Sequence, residues 1–235
     1  MIAVILAGGK GTRLKPYTNV FPKPLMPIGD HPILEILIRQ LESYGFNEII
    51  MATGHLAELI KLFFGDGDKY NFKINYKRED EPLGTAGPLG QMKNELKDHF
   101  LMMNGDLLTT INFQDLVNYH KESGAMATIA LKKRDVHIDF GVVELDETQD
   151  ITDYIEKPDL KYLVSMGVYV FHPRVLEYIE PDEYLDFPDL IKKLISNGET
   201  VKGYLYDGYW LDMGRPDDYE KANENIDELY HKLFK

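Results

Sequence analysis

Hydrophobic positions along this chain switch repeatedly between unbroken short runs and a spacing of three to four residues. Residues 2–6 are a continuous apolar run entering Ala7-Gly8-Gly9, the pattern of a buried strand that feeds a glycine loop. Pro32 then opens a helix on which Ile33, Leu34, Leu37, Ile38 and Leu41 recur at helical spacing, and Gly45 follows as its stop residue. The same reading predicts strands at 48–52, 73–78 and 100–103, helices at 55–64 and 113–123, and a helical stretch over 85–96. Strand and helix alternate with short connections, as in βαβ units whose parallel sheet is covered on both faces.

After Met126 the rhythm changes. Residues 127–132, 141–145, 151–156 and 164–171 are β-prone with few helical positions between them, which predicts an antiparallel extension. Helices at 173–179 and 188–197, a strand at 201–206 and an amphipathic helix over 216–233 complete the pattern. There is no internal repeat, low-complexity segment or linker, so one domain is expected over 1–235, with halves at 1–125 and 126–235. One stretch resists both periods: five of the 12 prolines fall within residues 8–32, so 8–31 is expected to be a long loop, and loops of that length inside compact domains are usually functional.

The 235 residues include no cysteine, which excludes a disulfide framework and any thiolate metal site. The N-terminal apolar run has no basic segment before it and is too short for a signal sequence or membrane span, so a cytoplasmic protein is expected. Net charge is −13, which argues against a general nucleic-acid binder. Residues 1–29 nevertheless hold Lys10, Arg13, Lys15 and Lys23 with no Asp or Glu. Such a cationic island points to a localised anion site.

The loop Gly8-Gly9-Lys10-Gly11-Thr12-Arg13 follows a strand, where backbone N–H groups can face a phosphate. It is not a dinucleotide fingerprint, because the third glycine position is Leu14 and Pro16 blocks the helix that should begin there. No Gly-Lys-Ser/Thr triplet of a Walker loop is present. On its own the loop is equally a tight turn. Taken with Pro22-Lys23-Pro24-Leu25, Glu81-Pro82-Leu83-Gly84-Thr85-Ala86-Gly87, Asn104-Gly105-Asp106, Glu156-Lys157-Pro158 and Trp210-Leu211-Asp212-Met213-Gly214, it resembles the signature of the sugar-phosphate nucleotidylyltransferases, which join a nucleoside triphosphate to a sugar 1-phosphate.

That resemblance implies an α/β, Rossmann-like three-layer fold with a mainly parallel sheet and a small antiparallel sugar-side extension. It implies a nucleotide site of Leu6, Ala7, Gly8, Gly9, Gly11, Thr12, Arg13, Pro82, Gly84 and Thr85, with Arg13, Lys23 and Asp106 catalytic. The sugar phosphate is expected at Asn104, Gly141, Glu156, Lys157 and Ser165, and Mg²⁺ at Asp106 and Asp212. Many relatives have an Asn where this chain has Ser165, so sugar identity does not transfer. The Glu81-Pro82-Leu83-Gly84-Thr85-Ala86-Gly87 element looks most like mannose 1-phosphate and heptose 1-phosphate guanylyltransferases, which implies GTP and a hexose or heptose 1-phosphate.

Residue types agree with this chemistry, since bringing anionic groups together needs positioning and charge neutralisation and no protein nucleophile. Asn104-Gly105 also suits a hairpin turn, but a following helix favours a βα connection that presents Asp106 at a strand's carboxyl end. The seven histidines show no zinc spacing. The rivals are an enzyme of the same fold using another base or a non-sugar phosphate such as phosphocholine, and a non-catalytic nucleotide sensor. A sensor has no need of Arg13, Lys23, Asp106 and Asp212 together. No room is expected for a C-terminal repeat domain, and assembly into a homo-oligomer stays open.

Overall fold

The first apolar run forms β1 (Ile2–Ala7), and its side chains alternate between two cores. Ala3, Ile5 and Ala7 enter one and Val4 the other, as period-two geometry requires of a strand covered on both faces. The computed structural model describes residues 1–79, 81–224 and 226–233. After β1 the proline-rich loop is neither helix nor central strand. It runs through short 3₁₀ turns at Thr12–Leu14, Tyr17–Asn19 and Lys23–Leu25 and the two-residue strands β2 (Pro27–Ile28) and β3 (His31–Pro32).

Helix α1 (Ile33–Ser43) is buried almost all round. Leu34, Leu37, Ile38 and Leu41 face the sheet, while Ile33 and Ile36 face a third core built with the C-terminal helices. Each fully buried side chain of this size contributes about 1.5–3 kcal/mol, so α1 is held from two sides. There follow β4 (Glu48–Thr53), α2 (Ala57–Phe64), β5 (Lys73–Arg78), β6 (Phe100–Asn104), β7 (Leu107–Thr109) and α3 (Phe113–Ser123). The Asn112 side chain caps α3 by accepting the backbone N–H groups of Gln114 at 3.0 Å and Asp115 at 3.2 Å.

The second half contributes β8 (Ala127–His137), β9 (Val142–Leu145), β10 (Ile151–Ile155), β11 (Asp159–Phe171), α4 (Phe187–Ser196), β12 (Val201–Leu205) and β13 (Trp210–Asp212). Helices α5 (Pro216–Glu224) and α6 (Ile226–Leu233) occupy the predicted final helix; Asn225 between them lies outside the described residues. The main sheet has seven strands in the order β12-β8-β11-β6-β1-β4-β5. Strands β6, β1, β4 and β5 are parallel, β11 is antiparallel to β6 and β8, and β12 is parallel to β8. This is the expected α/β arrangement with its antiparallel extension, in which β9 and β10 pair apart from the main sheet.

Two expectations are corrected. Residues 85–96 hold only a 3₁₀ turn, Gly87–Met92, because Pro88 interrupts the run and the backbone of residues 180–183 packs directly on Gly87 and Gly90. Residues 173–179 likewise form a 3₁₀ turn, Pro173–Tyr178. The alternative hairpin at Asn104-Gly105 does not form, since β7 pairs with β13 and not with β6. Among the described residues no helix is long and apolar enough to cross a membrane.

Candidate active site

Three parallel strands end in register. Ala7 stands opposite Thr53, and Thr53 opposite Arg78, so the next residues, Gly8, Gly54 and Glu79, meet at the sheet's carboxyl edge. On the other side of β1, Leu6 stands opposite Asn104, which brings the turn carrying Asp106 to the same edge. A cleft of about 890 Å³ opens there, the place where open α/β sheets bind ligands.

The glycine loop forms one wall. Gly11 has φ +58°, and an added Cβ would come within 2.8 Å of Thr18 Cγ2, so this left-handed, crowded position demands glycine. The Thr18 hydroxyl donates to the Gly11 carbonyl at 2.8 Å and fixes the turn. At Gly9, by contrast, an added Cβ would meet nothing within 4 Å. Packing does not require glycine there, and bare backbone beside a cleft suits the close approach of an anion.

Lys23 enters from its 3₁₀ turn with its backbone anchored. Leu25 is in the core, and the Met26 N–H donates to the Lys23 carbonyl at 3.0 Å. Only 8% of Lys23 is exposed. Its ammonium donates to Asp106 Oδ2 and lies 4.0 Å from Asp212 Oδ1. The two carboxylates are distant in sequence, and backbone pairing brings them together: Asp212 stands opposite Leu107 in the β7–β13 ladder, and the Met213 N–H donates to the Asp106 carbonyl at 3.1 Å. Burial pushes the Asp212 carboxyl above its ordinary range and the charge of Asp106 adds to this, while Lys23 and Arg13 pull the other way. The Arg13 guanidinium packs against Gly214, where an added Cβ would lie 3.1 Å from Nη1.

Asp106 Oδ1 is buried and has no hydrogen-bond partner among the described residues. A carboxylate oxygen left so is costly, and a hard dication is a partner that suits it. Among the described residues no group of three or more His, Asp or Glu side chains could hold a metal by itself. Two carboxylates completed by water and substrate oxygens are an ordinary Mg²⁺ environment, so this donor set fits the ion.

The model of the nucleotidyl transferase family matches residues 2–228 of the chain. The chain belongs to the nucleotidyl transferase family. It is 34% identical to the UTP–glucose-1-phosphate uridylyltransferase of Synechocystis sp., over 96% of this chain and 63% of that protein. To the mannose-1-phosphate guanyltransferase of Schizosaccharomyces pombe it is also 34% identical, over 93% of this chain and 62% of that one. It therefore spans a little under two thirds of these relatives, whose names carry different bases. Among solved structures, HddC from Yersinia pseudotuberculosis has a TM-score of 0.74 and 27% identity, covering 96% of this chain and 99% of that one. The structure of HddC complexed with GMP-PN has a TM-score of 0.73, again at 27% identity, with the same coverage of both chains.

All ten residues read from the sequence as the nucleotide side line the nucleotidyl transferase cleft, together with Lys23, Asn104 and Asp106. Asp212 reaches it through Lys23. Gly141, Glu156, Lys157 and Ser165 do not line it. Ser165 donates to the Tyr169 hydroxyl at 3.0 Å and stands two residues from Gly167, whose backbone packs on Asn104. Glu156 instead accepts a hydrogen bond from Tyr154 at 3.2 Å.

The cleft also has walls that the sequence reading did not assign: Gly54, His55, Arg78, Glu79, Tyr184 and Asp186. Glu79 is partly buried against Gly8 and accepts the Leu83 N–H at 3.1 Å. Burial pushes its carboxyl above the ordinary range, and the Leu83 bond opposes this. Position at a strand's carboxyl end, the argument that singles out Asp106, would have found Glu79 after β5. No local signal marks Tyr184 and Asp186.

Proposed function

We propose that this chain joins a nucleoside triphosphate to a sugar 1-phosphate. An oxygen of the sugar phosphate attacks the α-phosphorus, a new phosphorus–oxygen bond forms, and the bond to the β-phosphate breaks to release pyrophosphate. One observation supports this above all: a buried lysine, two carboxylates and an arginine converge beneath a glycine loop in a single cleft. Such a transfer calls for no protein nucleophile. The arrangement instead offers two placed cations beside a carboxylate pair that would hold a dication, which suits an in-line phosphoryl displacement.

In this reading Gly8, Gly9, Gly11 and Thr12 bind the phosphates through the loop. Arg13 offsets charge building on the departing pyrophosphate, and Lys23 holds the α-phosphate beside the incoming oxygen. Asp106 and Asp212 would hold Mg²⁺, which, when bound, neutralises phosphate charge. Asn104, which lines the cleft, is assigned to the sugar phosphate, and Gly141, Glu156, Lys157 and Ser165 are assigned to it by motif resemblance.

GTP is the proposed nucleotide, with a hexose or heptose 1-phosphate as partner. Glu79 supports the base: an ionised carboxylate only accepts hydrogen bonds, and guanine presents adjacent N1–H and N2–H donors. Uracil and thymine present one donor between two acceptors, which would set oxygen against oxygen. The likeness to HddC, whose structure is complexed with GMP-PN, points the same way, while the uridylyltransferase relative favours UTP as the second reading. Glu79→Gln is expected to lower kcat/KM for GTP ~10-fold or more, about 1.4 kcal/mol, while UTP turnover changes less than about threefold. Initial rates of pyrophosphate release with each triphosphate check this. A wild-type preference for UTP moves the base to uracil, and an unchanged GTP preference in the variant removes Glu79 from base recognition.

A further inference from the structure

We infer that Asp186 is a positioning residue that sets the 82–85 turn of the cleft for the nucleoside triphosphate. This rests on the reading that a triphosphate binds this cleft. The segment before α4 lies about a hundred residues from that turn in sequence, yet the two share one wall. Asp186 Oδ1 accepts the Thr85 N–H at 2.9 Å and the Thr85 hydroxyl at 3.1 Å, while Oδ2 accepts the Tyr184 hydroxyl at 3.0 Å. The Thr85 oxygen in turn accepts the Phe187 N–H at 2.8 Å.

Two layers of contact are distinguishable. The backbone layer ties the segments together: the Leu185 N–H donates to Leu83 at 2.9 Å, and the Leu185 carbonyl accepts Ala86 and Gly87 at 2.8 and 3.0 Å. This layer also explains Gly84, which has φ +77° and no room for a side chain, because a Cβ would lie 2.6 Å from the Leu185 carbonyl oxygen. The side-chain layer is Asp186 itself, which lines the cleft with Tyr184, Gly84 and Thr85. Backbone docking fixes where the segments meet, and the carboxylate fixes how Thr85 and its peptide face the cleft.

The turn is thus bracketed by two carboxylates, Glu79 on the Leu83 N–H and Asp186 on the Thr85 N–H. Charge-assisted bonds of this kind are the stronger ones and resist small displacements. Binding groups must be held closely in register to be effective, since misplacement by about 1 Å is costly. Asp186 lies on the cleft wall with Tyr184, Gly84 and Thr85, and its hydrogen bonds go to Thr85 and Tyr184, so its removal is expected to weaken nucleotide binding and spare the chemical step.

The test uses the full chain and its variants Asp186→Ala, Asp186→Asn, Thr85→Val and Thr85→Ser. Calorimetric titration with GTP and UTP in the absence of sugar phosphate gives Kd, pyrophosphate release gives kcat and both KM values, and circular dichroism monitors folding. Asp186→Ala and Thr85→Val are expected to raise Kd and KM for the preferred triphosphate 10-fold or more, with kcat and the sugar phosphate KM within threefold. Thr85→Ser keeps the hydroxyl and is expected to raise Kd and KM less than Thr85→Val does. Asp186→Asn keeps one acceptor and falls between, and it decides the matter if the alanine variant does not fold. Unchanged Kd in folded Asp186 variants, or an equal loss in kcat and both KM values, overturns the inference. If wild type takes up neither triphosphate, the functional reading and the inference fall together.

Discussion

Replacing Lys23 with alanine is expected to lower kcat by ~10²-fold or more, the range found when a preorganised charge-stabilising group is removed. Lys23 is 8% exposed and its ammonium sits between two carboxylates, so water cannot replace it cheaply. Without it, Asp106 and Asp212 face each other uncompensated and the bound phosphates lose their nearest fixed cation. Lys23→Arg should rescue little, because the side chain is buried and a planar guanidinium cannot stand in for a compact ammonium. Arg13→Ala should fall in the same range, through charge on the departing pyrophosphate. Steady-state rates at saturating substrates, with folding checked by circular dichroism, decide the point. Wild-type turnover in both folded alanine variants removes these side chains from the chemistry.

The second large effect concerns the paired carboxylates. Asp106→Asn and Asp212→Asn are each expected to raise the Mg²⁺ concentration for half-maximal rate at least ~10-fold, and to lower the rate at limiting Mg²⁺ by ~10²-fold. A neutral amide is a poor partner for a hard dication, and each variant keeps the size of the side chain it replaces. Asp106 should be the more sensitive, since one of its oxygens engages Lys23 and the other has no partner among the described residues. Mn²⁺ binding followed by electron paramagnetic resonance gives an independent reading of the same site. Asp212→Asn turning over at the full rate under limiting Mg²⁺ contradicts the shared-metal assignment.

How much of this was legible in the sequence depends on the length scale of each feature. Strands β1, β4 and β6 could be read as short unbroken apolar runs, β5 by its alternation, and helices α1 and α3 by apolar positions at helical spacing. The 85–96 stretch could not, because its apolar spacing looks helical while Pro88 and close backbone contacts at Gly87 and Gly90 decide its form. Strand β13 is three residues long, below the length at which periodicity is measurable. The meeting of Asp106 with Asp212 was therefore visible only through motif resemblance, and the β7–β13 ladder supplies its physical basis. Glu79 follows from a positional rule applied to β5, whereas Tyr184 and Asp186 join the cleft through tertiary packing alone. Gly141 was legible as the start of a β-prone segment and Glu156-Lys157 as a strand end, but not their place outside the cleft's lining.

Whether this cleft couples two substrates by expelling pyrophosphate is read from a pyrophosphate-release screen of nucleoside triphosphates against sugar 1-phosphates with Mg²⁺ present. Release is expected only when both substrates are supplied, with loss of release in Lys23→Ala and the highest kcat/KM for GTP and a hexose or heptose 1-phosphate. Absence of pyrophosphate with every pairing, or release that does not depend on the sugar phosphate, would contradict this coupling.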